Sequence, residues 1–208
     1  MEVYHVAMPL IYPWRTAYGE DYDIHSVLVK AFSGDIEAWS ESTPLRTPTY
    51  LSESAISVFN NVTNFFGPHV IGREYDTADA LNERLKLFKG NSFAKAAIEI
   101  CWWTLQSRIT KTPIHKLLGG KTRPVSAGAD FGIQDSYEML LGNIQDAVDQ
   151  GFPRIKLKVA RGWDLEMLKV VRGTFPDVIF HIDCNAGYTM EDLPVSYTHL
   201  TLPTSDLV

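Results

Sequence analysis

The sequence predicts two different fold classes in succession: α+β first, then α/β. Three observations carry this. Strand-like segments come first, helical segments follow, and after Gly119-Gly120 the rhythm changes to strand, helix, strand, helix, strand. That last pattern is the βαβ signature and implies a parallel sheet. The 208 residues suffice for one large domain or two small ones. The expected organisation is an N-terminal α+β domain over 1–123, then an α/β barrel or doubly wound sheet from residue 124.

Taken in order, residues 3–8 (VYHVAM) and 24–32 (IHSVLVKAF) read as strands. PLIYPWRTAYGEDYD between them is rich in Pro, Gly and aromatics and reads as a mobile loop. Ser33-Gly34-Asp35 is a turn and IEAWSES a return strand. Helical patterns then cover about 52–66, ended by Gly67-Pro68, and about 77–88, ended by Gly90. The strongest starts at Ser92, read as an N-cap. Ala94, Ala97, Ile98, Cys101, Trp102, Leu105 and Ile109 repeat there at helical spacing, which marks a core helix. VSAGADFGI (125–133) is strand-like, and Asp135 with Glu138 forms a capping-box-like helix start. Leu140, Leu141, Ile144, Ala147 and Val148 supply that helix's apolar face, and Gly151 closes it. RIKLKV is the next strand. Asp164 caps a helix with Leu165, Leu168 and Val171 inward, and DVIFHID (177–183) is the third strand.

Composition narrows the function. A net charge of -6 argues against nucleic acid or an anionic membrane as partner. Cys101 and Cys184 are far apart, so neither a disulfide framework nor a zinc site is expected and a reducing cytoplasm fits. The start lacks signal-peptide features, and no apolar run is long enough to span a membrane. Gly120-Lys121-Thr122 imitates the end of a P-loop, but His115 stands where its glycine is needed. Asp183–Gly187 imitates a calcium loop, with its glycine one place early. No GxGxxG follows a strand, which removes a nicotinamide enzyme. His5, His25, His69 and His115 read as surface or packing residues, and His181 as an interior packing residue.

Lys156 and Lys158 lie two apart on a strand and share a face, with Ile155, Leu157 and Val159 on the other. In isolation this is a half-solvated strand. Between two amphipathic helices the apolar face must be covered, and in a barrel the lysines point inward. Burying unpartnered ammonium groups is costly. Two of them in a poorly solvated site depress each other's pKa, and a lysine tuned down can act as a general base. Asp183 and Asn185 follow at the C-terminal end of the next strand, the catalytic rim of a barrel. A carboxylate there suits a hard cation such as Mg2+. A lysine base beside a metal-bound carboxylate substrate can remove its α-proton while the metal stabilises the enediolate.

KLK at 156–158, GWD at 162–164, FPD at 175–177 and DCNAGYT at 183–189 resemble the enolase superfamily, in its branch of o-succinylbenzoate synthases and N-succinylamino acid racemases. NSFAKAAIEICWWTL (91–105), IHKLLGG (114–120) and FGIQD (131–135) fit the same branch. The resemblance spans residues 1–193. It implies an enolase-like capping domain over 1–123 and, over 124–194, the first part of a (β/α)7β barrel with about three strands present. It also implies that Lys158 is one acid/base, that Lys156 assists and contacts the substrate carboxylate, that Asp183 is the first Mg2+ ligand and that Asn185 lies close to the substrate. The loops around Tyr18-Gly19 and around Tyr50 would close over the substrate. The expected partner is a small carboxylate, and the intact parent is expected to be a cytoplasmic homo-oligomer. Thr104 replaces the family's usual Asp and Arg161 a common Pro.

The family's other two metal carboxylates and its second lysine come from later barrel strands, and nothing after Asp183 supplies them. VSYTHLTLPTSDLV has no βα rhythm and resembles a translated sequencing adapter, so 195–208 is expected to be a non-native tail. A three-stranded barrel piece has an open edge. The chain as written is therefore expected to be inactive and poorly soluble. The parent is expected to dehydrate a cyclohexadiene carboxylate to o-succinylbenzoate in menaquinone biosynthesis. Racemisation of N-succinylamino acids, epimerisation of dipeptides and a non-catalytic remnant are the alternatives.

Overall fold

The computed structural model describes residues 1–192; the expectations for 193–208, the non-native tail among them, lie outside the described residues. The chain forms two compact units. One comprises Met1–Ile11 and Asp23–Arg123, the other Tyr12–Tyr22 and the chain from Pro124 on.

The first sheet has the order β1-β2-β3, with β1 at Glu2–Thr16, β2 at Gly19–Ser33 and β3 at Ile36–Ser42. The stretch expected to be a mobile loop is instead strand: β1 and β2 are 15 residues each and meet at Ala17-Tyr18. Pro9 and Pro13 are tolerated because β1 is an edge strand, where a missing N–H need not break a ladder. β2 and β3 pair antiparallel, Val29 opposite Ser40 and Val27 opposite Ser42. Val27, Val29 and Ala38 on one face are fully buried.

That face packs on α4, Ser92–Thr110, through Ala94, Ala97, Ile98 and Cys101. Ser40 Oγ donates to the Ala97 carbonyl at 2.5 Å and Ser42 Oγ to the Phe93 carbonyl at 3.1 Å. Burial pushes the Cys101 thiol up in pKa. Cys101 is a core residue, as its helical spacing suggested.

The start of α4 departs from expectation. Ser92 is its first residue, not its cap, and Asn91 precedes it at φ 59 with no side-chain capping bond. The free helix N–H groups are met by Glu53, whose Oε1 accepts from Phe93 N at 3.0 Å and Oε2 from Ala94 N at 3.2 Å. A carboxylate at a helix N-terminus also opposes the positive end of the helix dipole.

The first helical run is capped by Ser54, which exchanges bonds with Ser57 in a capping box. It begins as α1, Ala55–Asn61, widens into a π turn at Val62–Phe66 and continues as α2, Gly67–Val70. Gly67-Pro68 therefore does not end it. Pro68 falls in the first turn of α2, where a missing N–H costs little. α3, Ala78–Leu85, is capped by Thr77 and buries Leu81 and Leu85. A single turn, α5, covers Ile114–Leu117.

The second unit holds a parallel sheet, β4 (Ala129–Phe131), β5 (Arg154–Lys158) and β6 (Ile179–Asp183) in that order. α6, Tyr137–Asp149, joins β4 to β5, and α7, Leu165–Thr174, joins β5 to β6. Ile155, Leu157 and Val159 are buried with Leu140, Ile144, Met167 and Val171. The cap of α6 is Ser136, not Asp135: Ser136 Oγ accepts from Met139 N at 3.2 Å. In α7, Met167 is buried and Leu165 and Leu168 half-buried. Asp164 caps α7 through Leu165 N at 2.7 Å. An α+β unit with a three-stranded sheet is thus followed in sequence by a βαβαβ unit with a three-stranded parallel sheet.

Replacing Glu53 by Ala strands two N–H groups at the buried end of α4. The expected loss is roughly 1–2 kcal/mol, the upper part of the range for a lost cap. Urea unfolding of the two proteins measures it, and an unchanged midpoint would contradict the assignment.

Candidate active site

The site is built where β5 and β6 end. Parallel register sets Lys156 opposite His181 and Lys158 opposite Asp183, and places Asp130 of β4 opposite Lys156. With the apolar residues of β5 turned to the helices, the lysines share the other face. Lys156 Nζ lies 2.8 Å and Lys158 Nζ 2.9 Å from the same oxygen, Asp183 Oδ2. Lys156 is also 3.2 Å from Asp130 Oδ2. Positive and negative groups therefore alternate across three strands. Lys158 is buried, its side chain 7% exposed, whereas that of Lys156 is 38% exposed.

This arrangement corrects the expectation of a lowered pKa for Lys156. Burial pulls the Lys156 ammonium toward neutrality, but hydrogen bonds to Asp183 and Asp130 outweigh it, and its pKa is raised. For Asp183, burial would raise the carboxyl. The bonds from Lys156 and Lys158, with the Asn185 N–H, reverse that and hold it well below the usual carboxylate range.

β6 stops at Asp183, and the chain turns through Asn185 (φ 46) and Ala186 (φ 57), both left-handed. Asn tolerates this conformation and Ala does not readily. Asn185 N donates to Asp183 Oδ1 at 2.9 Å, while Asn185 Oδ1 is buried without a hydrogen-bond partner. The turn is held further along. Tyr188 OH donates to Asp164 Oδ2 at 2.8 Å, and Arg161 makes a two-pronged pair with Asp192 at 2.9 and 2.6 Å. Arg161 thus ties the loop after β5 to the loop after β6.

Tyr18 and Gly19 sit at the tip of the β1–β2 hairpin, which belongs to this unit. The tip is anchored by Arg15. Its side chain pairs with Glu20 at 2.6 Å and with Asp135, and its carbonyl accepts from Ile133 N at 3.0 Å. Tyr18 OH donates to Asp21 at 3.2 Å. Trp14 lies against Lys158, with Nζ 5.9 Å from the ring centroid. Tyr50 belongs to the other unit, in the turn after β3. Lys156, Lys158, Asp183 and Asn185 are thus brought together. Asp130, Trp14 and Arg15 were missed by sequence reading, and only the register of β4 on β5 could have pointed to Asp130.

Asp183 is suited to a hard cation, but such an ion needs several oxygen ligands. Among the described residues no three His, Cys, Asp or Glu side chains come together to hold one. The described residues supply Asp183, already paired with two ammonium groups, and Asp130 on the far side of Lys156, and do not by themselves fit a Mg2+ site.

Residues 1–119 match the mandelate racemase / muconate lactonizing enzyme N-terminal domain. An N-succinylamino acid racemase of Thermus thermophilus is 33% identical over 186 residues, 89% of this chain and 50% of that protein. An o-succinylbenzoate synthase of Geobacillus kaustophilus is 32% identical, covering 90% and 50%. Among solved structures, an enolase-superfamily member from Listeria innocua matches with a TM-score of 0.84 at 27% identity, covering 93% of this chain and 52% of that one. One unit with a three-stranded sheet and another with three parallel strands match the fold of the enolase superfamily. The chain belongs to the mandelate racemase / muconate lactonizing enzyme family, and the relatives it resembles carry the names N-succinylamino acid racemase and o-succinylbenzoate synthase. It spans about half the length of these relatives.

Two predictions follow from the loop after β6. A methyl group on Gly187 would run into Ala17 of the hairpin tip and approach the Cys184 carbonyl at 3.0 Å. Gly187→Ala is expected to destabilise the second unit by about 1–3 kcal/mol. Ala17→Gly should recover part of this in the double mutant, and strict additivity would contradict the contact. Separately, the Arg161 guanidinium holds the Asp192 carboxyl down at about 2. A depressed carboxylate contributes stability that is complete above its unfolded value, about 3.9, and fades as pH falls toward the folded one. Amide protection at Thr189 should therefore fall between about pH 4 and 2, and Arg161→Ala should shift that fall upward.

Proposed function

We propose that the intact protein carrying this chain removes a proton α to a substrate carboxylate, and that the reaction is the dehydration yielding o-succinylbenzoate in menaquinone biosynthesis. The observation that supports it is the convergence of Lys156 and Lys158 on Asp183 at the strand ends. Lys158, buried beneath Trp14, is the acid/base. Lys156, more exposed and held between two carboxylates, contacts the substrate carboxylate and orients it. Asn185 borders the substrate, and the hairpin tip at Tyr18-Gly19 closes over it.

Mg2+ is the proposed cofactor, with Asp183 giving one ligand; when bound it would stabilise the enediolate. The remaining ligands are not among the described residues. The partner is a small carboxylate, in a cytoplasmic homo-oligomer without nucleic acid. No described helix is long and apolar enough to cross a membrane.

A second reading, racemisation of N-succinylamino acids, draws support from a racemase relative as similar as the synthases. Dipeptide epimerisation uses the same proton chemistry. Values of kcat/KM for the three substrate classes, measured on the full-length parent, rank these readings. In the preferred substrate, Lys158→Ala should lower kcat by about 10²–10⁴-fold, the usual worth of a general acid–base. The 208-residue chain alone should show no turnover. Full activity in the variant would overturn the assignment, and a parent inert to all three substrate classes would favour a non-catalytic remnant.

A further inference from the structure

The first unit holds a pair of histidines that the proposed reaction does not use. His5 of β1 and His25 of β2 are 20 residues apart, and the sequence marked both as surface or packing residues. In the fold His5 Nε2 and His25 Nδ1 lie 2.8 Å apart, with ring centroids 5.0 Å apart and planes tilted by 48°. Such contact requires one N–H and one lone pair, so a single proton sits on the line between the two ring nitrogens. The His25 side chain is 12% exposed. Its far nitrogen, Nε2, is buried without a hydrogen bond, although Asp23 Oδ1 lies 3.2 Å away, off the hydrogen-bond direction. Phe59 closes one side, its ring 6.4 Å from that of His5.

We propose that His5 and His25 form a two-imidazole binding site for a borderline divalent transition metal, Zn2+, Ni2+ or Cu2+. Both rings ligate in the neutral form, His25 through Nδ1 and His5 through Nε2. The proton of the donating ring moves to that ring's other nitrogen through solvent, and none is lost from the neutral pair. Tetrahedral ligation with metal–nitrogen distances near 2.0–2.1 Å sets the nitrogens about 3.3 Å apart, so the rings must part by about 0.5 Å and tilt until both lone pairs aim at the ion. A small turn of His25 then aims its Nε2–H at Asp23, the carboxylate–histidine arrangement that orients and strengthens metal-bound imidazole. Among the described residues no third ligating side chain joins them, so water completes the shell. Imidazole donors favour these ions over Mg2+. The site is therefore chemically distinct from the carboxylate at Asp183 and independent of the proposed reaction.

The test is calorimetric titration of the full chain, kept soluble by a fused carrier that binds no metal, with ZnCl2 and NiCl2 in excess Mg2+. One saturable site per chain is expected, weakened at least tenfold in His5→Ala and in His25→Gln. Asp23→Asn should weaken it about 10–100-fold, the usual range for a lost supporting carboxylate. His5 is exposed, so His5→Ala keeps the test valid even if His25→Gln fails to fold. With Cu2+, the electron paramagnetic resonance spectrum should show coupling to two imidazole nitrogens. No saturable site, binding unchanged in His5→Ala, or coupling to one nitrogen would overturn the proposal.

Discussion

One carboxylate oxygen, Asp183 Oδ2, organises the second unit's polar face. Two ammonium groups on the next strand close on it at 2.8 and 2.9 Å. Without it, Lys158 would carry a buried charge with no counterion, which a protein interior does not tolerate cheaply. With it, the strand can be apolar toward its helices and ionic toward the other side. Asp130 extends the alternation to β4, so each lysine lies beside a carboxylate and the face is charge-balanced. The same atom also orders the chain that follows. Asp183 Oδ1 receives the Asn185 amide, which draws the backbone into its left-handed turn.

Much of this was legible in the sequence because it rests on local periodicity. The period of two in RIKLK sets the lysines against Ile155 and Leu157 whatever the neighbours are. The 3.6-residue repeat of α4 likewise marked Ala94, Ala97, Ile98 and Cys101 as core. What escaped depends on partners distant in sequence. Glu53 caps a helix that starts 39 residues later. Asp135 looked like a cap because of its spacing from Glu138, but Arg15 takes its charge and Ser136 caps instead. The segment from Pro9 to Asp23 looked like a loop because its Pro, Gly and aromatic content is loop-like. Edge position decides otherwise, and edge position is a property of the sheet.

The loop after β6 shows how strain is contained. Two successive left-handed residues are unfavourable for Asn and more so for Ala. They persist because the surroundings overdetermine them: the Asp183 carboxylate before, the Tyr188–Asp164 bond after, and the Arg161–Asp192 pair beyond. Gly187 is required between them for space rather than for its dihedral freedom, since Ala17 occupies the position of any side chain there.

The hairpin tip carries a consequence for how the chain folds as it is made. The root of the β1–β2 hairpin finds its core partners within the first unit. Arg15 meets Asp135, 120 residues further along. At roughly 5–20 residues per second of synthesis, the tip must wait about 6–24 s after Arg15 is made before Asp135 exists. During that interval the strands are registered at one end and unanchored at the other. Trp14 meanwhile is exposed to solvent or to other nascent chains. The contact that finally holds it is among the most non-local in the molecule, the kind that slows folding.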